Sequence, residues 1–262
     1  MTLGRRVAAE GIGTAFLVAT VVGSGIMAER LAQGNTALAL LANAVATGAV
    51  LVALILTLEG VSAHFNPLVS LVAAAFEELP FREIPAYICA QIGGAILGVA
   101  LTNALFTGIP FAPSHHSRSG AAQLGSEVLA TFGLILIVRG ARFPALAVGS
   151  YIVAAYWFCP STSFANPAVT IGRALTESFA GIRPFDVPGF IGAQGLGALL
   201  AGIVARWLFC PGSGPFPRDQ DASREGSATP SEPQGTAYVE STGHDRLPAA
   251  APRSQGPLQA PR

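Results

Sequence analysis

Two Asn-Pro pairs, Asn66-Pro67 and Asn166-Pro167, carry the most readable chemistry in this chain. Pro has no N–H to leave unpaired at a first helical position, and Asn is a good N-cap, so each pair marks a helix start. Each sits in a moderately apolar segment, Gly60 to Phe76 and Pro160 to Ala180, too short to cross a bilayer. A half-helix that begins inside a membrane presents unpartnered N–H groups and the positive end of its dipole. If two such half-helices meet end to end, two Asn amides project into one spot, each able to donate to a passing oxygen. A cation there loses hydration without finding anionic ligands, whereas a neutral hydroxyl compound exchanges water hydrogen bonds for protein ones. The chemistry expected is therefore passage of neutral solutes. Ordinary caps in loops would explain one such pair; two, at equivalent places in a repeat, point to a pore.

The elements that must hold these pairs are long and apolar. Hydrophobic residues make up 51% of the chain and charged residues only 11%, against about 25% charged in an ordinary soluble domain. Six apolar stretches approach the length of a membrane helix: Val7 to Met27, Thr36 to Leu58, Ile84 to Phe106, Ala121 to Val138, Pro144 to Phe158 and Val187 to Phe209. Arg5 and Arg6 ahead of the first run resemble a signal peptide, but the run is long enough to span and others follow it. Three markers recur in the same order in both halves. Glu10 with Thr14, Asn66-Pro67 and Gln91 are matched by Glu127 with Thr131, Asn166-Pro167 and Gln194. Because three spans separate the copies, the second is inserted upside down, and one half-helix enters from each face.

Other chemistries find little support. The net charge of zero argues against a nucleic-acid partner. Cys89, Cys159 and Cys210 lie far apart without CxxC spacing, and His115 and His116 have no carboxylate or thiol beside them in sequence, so no metal and no cofactor is expected. No nucleophile, base and orienting group assemble into an enzyme site. Glu10 and Glu127 fall inside spans, where an ionisable group is costly. A coupled secondary transporter would use them as proton relays; the blander role is to accept hydrogen bonds from the re-entrant backbone. Arg5, Arg6, Arg82, Arg139 and Arg142 fall on one side of a six-span layout and Arg30, Arg118 and Arg183 on the other, which favours cytoplasmic termini. From Pro211 to Arg262 the chain turns to Pro, Ser, Gly and charge, a composition expected of a disordered cytoplasmic tail behind a channel domain of residues 1–210.

The stretches Ser62-Ala63-His64-Phe65-Asn66-Pro67-Leu68-Val69 and Ser163-Phe164-Ala165-Asn166-Pro167-Ala168-Val169-Thr170 resemble the two signature boxes of the aquaporin (major intrinsic protein) family. The likeness covers about residues 4 to 210, and Glu10, Thr14 and Glu127 are similar to the family's first- and fourth-helix motif. It implies an all-α membrane protein of the plasma membrane, with six transmembrane helices plus two re-entrant half-helices, assembled as a homotetramer with one pore per subunit. It also implies that His64 lines the pore and that Glu10 and Glu127 are structural acids.

The chain departs from the family pattern at the constriction. Three residues after Asn166, where the family carries Arg, stands Val169. Counting by family spacing places Ala46 on the second span, Ala155 or Ala154 on the fifth, and Ser163 on the loop. Such a filter is wide and weakly polar, which makes glycerol-like polyols and neutral metalloid hydroxides such as arsenous acid plausible cargo beside water; the alternative is a strict water channel. The stretch from Ser161 to Ile171 is similar to that of bacterial aquaporins associated with arsenic resistance. Arg173 lies one turn beyond Val169, about 6 Å along the helix, and is expected to pack or sit at the mouth unless its side chain reaches back.

Overall fold

The computed structural model describes residues 1–209; the tail expected from Pro211 lies outside them. Eight α-helices follow one another: α1 (Leu3–Leu31), α2 (Thr36–Leu58), α3 (Pro67–Ala75), α4 (Ile84–Thr107), α5 (Ala121–Gly140), α6 (Pro144–Phe158), α7 (Pro167–Arg173) and α8 (Val187–Phe209). The order long, long, short, long occurs twice. Helices α1, α2, α4, α5 and α8 are long and apolar enough to cross a membrane, and α6 is a shorter apolar helix of 15 residues. Behind α6 the chain runs without helix from Cys159 to Ala165 before α7 begins. The two halves also pack alike: α1 lies on α2 and α4, α5 lies on α6 and α8, and α2 meets α6 across the middle.

Polarity is arranged for lipid. Ile12, Phe16, Leu97, Leu101, Leu105, Leu199 and Ile203 face outward, whereas Glu10, Thr14, Gln91, Glu127, Thr131 and Gln194 are fully buried. Without water at the helix flanks, association rests on close backbone approach and interior hydrogen bonds. Gly94 and Gly98 supply that approach. A Cβ at Gly94 would strike the Gly11 carbonyl of α1, and one at Gly98 the Ala15 carbonyl. In the other half, a Cβ at Gly197 of α8 would strike the Val128 carbonyl of α5.

These contacts predict a paired outcome. Gly94→Val should prise α1 from α4 and remove most of the monodisperse, detergent-extracted protein. Gly93→Val, one residue away but facing open space, should extract and elute like the parent. Size-exclusion profiles of the two variants side by side check this, and equal behaviour would count against close helix packing at Gly94.

Candidate functional site

Each half-helix begins at its Asn. Asn66 Oδ1 accepts from Leu68 N at 2.9 Å, and Asn166 Oδ1 accepts from Ala168 N at 3.0 Å and Val169 N at 3.3 Å. Pro67 and Pro167 occupy the first helical turns, as N–H-free residues should. The amide nitrogens reach across to the opposite loop: Asn66 Nδ2 donates to the Ala165 carbonyl at 2.8 Å and Asn166 Nδ2 to the Phe65 carbonyl at 2.7 Å. The half-helices therefore meet through a reciprocal pair of bonds. Each NH2 keeps a second hydrogen beyond the one so used.

The carbonyls can be offered because the residues before each Asn take an unusual backbone. Phe65 has φ 50° and Ala165 φ 47°, the left-handed region, which costs a non-glycine residue roughly 1 kcal/mol or more. The buried acids hold them there. Glu10 accepts from the backbone N–H of His64 (2.8 Å) and Phe65 (2.7 Å), from Ser62 Oγ (2.5 Å) and from Gln91 Nε2 (2.9 Å). Glu127 accepts from the N–H of Phe164 and Ala165, both at 2.9 Å, and from Gln194 Nε2 at 2.6 Å. The same glutamine nitrogens reach Ser70 Oγ at 3.0 Å and Thr170 Oγ1 at 2.9 Å on the half-helices. The two halves thus repeat one device: carboxylate, loop N–H pair, glutamine and half-helix hydroxyl.

A void runs past this junction. His64, Asn66, Val69, Asn166, Val169, Ser163 and Arg173 line it from the loops and half-helices, and Leu17, Val21, Leu51, Leu134, Val148 and Ile152 give it an apolar wall from the long helices. His64 is held in that wall by Ser70 Oγ, 3.0 Å from its Nδ1.

Two positions expected from counting are displaced. Ala46 and Ala155 do not line the void; Thr47 and Tyr156 do, one residue further along each helix. Ala155 is wholly buried in packing at 0% exposure, and Ala154 is exposed on the outer side. One residue turns a helix by about 100°, so a count off by one aims at a neighbouring face. Thr47 Oγ1 and Tyr156 Oη lie 3.1 Å apart, a polar pair that the alanines would not provide. Arg173, expected to pack or sit at the mouth unless its side chain reaches back, is 1% exposed and does reach back to the void.

The loop joining α4 to α5 closes over this end. Ala112 N and Ser114 N donate to the carbonyls of Leu175 and Ala174, at 3.0 and 3.1 Å. Arg118 pins it, donating to the carbonyls of Gly181 (2.8 Å), Ser161 (3.1 Å) and Phe179 (3.2 Å). Burial pulls the Arg118 guanidinium down to about 10, against the opposing pull of Tyr156 and Glu127. It stays charged at neutral pH. The sequence marked this residue only as a charge on one side of the layout, because its partners are backbone atoms far along the chain.

Apolar helices arranged as an inverted repeat, with two half-helices meeting at paired Asn amides beside a lined void, define a membrane channel. The chain belongs to the major intrinsic protein family, whose profile matches residues 1–155. It is 52% identical over 215 residues to the aquaglyceroporin AqpS of Rhizobium meliloti (strain 1021), a match covering 80% of this chain and 92% of that protein. Nodulin-26 of Glycine max is 27% identical over 224 residues, 78% of this chain and 76% of that one. The X-ray structure of the aquaglyceroporin from Plasmodium falciparum shares the fold, with a TM-score of 0.61 at 20% identity, over 80% of this chain and 98% of that one.

Proposed function

We propose that this channel passes water and small neutral polyhydroxy solutes, glycerol-like polyols and neutral metalloid hydroxides such as arsenous acid among them. The observation that carries this reading is Val169 in the void wall, a short apolar side chain one turn from the paired amides. The similarity to a protein named an aquaglyceroporin supports it. In this reading Asn66-Pro67 and Asn166-Pro167 form the midpoint, and His64 lines the path. Ser163 and Val169, with Thr47 and Tyr156, form the selectivity filter. Glu10 and Glu127 hold the loops; each carboxylate is engaged by loop N–H donors and a glutamine amide, which suits a fixed scaffold better than a proton relay. Residues 1–210 are the conducting unit, and the arginine distribution favours cytoplasmic termini in a plasma-membrane protein. Assembly as a homotetramer is part of the same proposal.

Tyr156 and Arg173 are bulkier than the residues counting had placed at this end, and they favour the narrower alternative of a strict water channel. Stopped-flow light scattering on proteoliposomes separates the readings. Water, glycerol and arsenous acid should all enter faster than into empty vesicles, without saturation and without dependence on an ion gradient. Water entry alone would leave the strict water channel, and gradient dependence would mean coupled transport.

A further inference from the structure

Arg173 is a buried cation without a counter-charge. It is the last residue of α7, 1% exposed, and no carboxylate lies within ion-pair distance of it among the described residues. Its Nε donates to the Ala180 carbonyl. Its Cζ sits 3.4 Å from the centre of the Phe164 ring, and Arg118 stands 5.1 Å from the same ring. The stack and the Nε bond fix the plane of the guanidinium. Its two terminal nitrogens donate to no described protein group, yet neither is a sealed, unsatisfied atom.

An uncompensated guanidinium in a dry interior costs several kcal/mol. Arg173 lines the void, so the acceptors for its terminal nitrogens must come from what fills the void: water or a solute hydroxyl. Ser163 belongs to the same wall, but its Oγ is sealed from the void, so the guanidinium is the donor that reaches it.

We propose that Arg173 is a specificity-determining residue of the channel, donating through its terminal nitrogens to the hydroxyl oxygens of a neutral solute and repelling cations by its fixed charge. This rests on the channel reading above. The loss of arginine at Val169 then widens the path without stripping it of positive charge, because the guanidinium enters from one turn further on.

Arg173→Gln and Arg173→Lys in proteoliposomes test this. Insertion is checked by membrane fractionation, and water, glycerol and proton entry are measured on each. Arg173→Gln should raise proton leak roughly tenfold, since even a screened unit charge beside the path sets a barrier of that order, while water flux stays within about twofold. Arg173→Lys keeps the charge but loses the planar fork, so proton exclusion should persist while the glycerol-to-water ratio shifts. Arg173→Gln as tight to protons as the parent, with normal water flux, overturns the proposal. If Arg173→Gln does not insert, Arg173→Lys decides: an altered glycerol-to-water ratio supports the proposal and an unchanged one overturns it. Parent protein with no flux of any kind would overturn the channel reading itself, a distinct result.

Discussion

The double variant Asn66→Leu with Asn166→Leu is expected to lose at least about tenfold of its water and glycerol flux, since one hydrogen bond left unmade in a dry site is worth about that factor. Each amide has two duties. Its oxygen caps its own half-helix, at Leu68 N for Asn66 and at Ala168 N and Val169 N for Asn166, while its nitrogen ties down the opposite loop at Ala165 or Phe65. Leu matches Asn in size but supplies neither donor nor acceptor. A solute oxygen would then arrive at mid-membrane with its water shed and nothing to accept from. Part of the loss would be structural, because the caps go as well, so flux has to be expressed per inserted channel. The single variants separate the two duties. Either should conduct more than the double, as one donor still faces the path. Inserted double variant that conducts at the parent's rate would remove the amides from the permeation mechanism.

Much of this architecture was legible because it depends on short-range signals. The edges of α2, α6 and α8 fall at Thr36–Leu58, Pro144–Phe158 and Val187–Phe209, where the apolar runs end. The inverted repeat was legible for another reason. Glu10, Asn66 and Gln91 belong to one buried device, and the second half needs the same residue types in the same order to build it again. What failed to transmit was phase. Between α6 and α7 the chain passes through Thr162 and Ser163, both at positive φ, and a non-helical stretch carries no periodicity from which a helical face can be counted. Hence Ala155 was expected where Tyr156 stands. The direction of Arg173 stayed open between packing and reaching back for a third reason: it is set by Phe164 and by Ala180 on a returning loop, contacts that no local pattern encodes.

Val169→Arg should then lower glycerol and arsenous acid entry several-fold more than water entry. Val169 lines the void and is only 6% exposed. Its N–H is engaged by Asn166 Oδ1 at 3.3 Å, so its backbone is fixed beside the midpoint. An arginine there extends into the path, since Val169 itself lines the void, sharing its wall with Val69, Leu134 and Val148. The guanidinium narrows the lumen and places a second cation about one turn, or 6 Å, from Arg173. Water is the smallest cargo and accepts from either guanidinium, so it keeps a large share of its flux. A triol or a trihydroxide needs more width and has no such recourse, so the discrimination is steric first and polar second. The two like charges also repel, which should push the Arg173 side chain against Phe164 and cost some stability. The transposed pair, Val169→Arg with Arg173→Val, removes that repulsion and should recover expression while keeping the narrow filter. Equal losses for water, glycerol and arsenous acid in well-inserted Val169→Arg protein would mean that this position does not set the width, and that the bottleneck lies at Thr47 and Tyr156 instead.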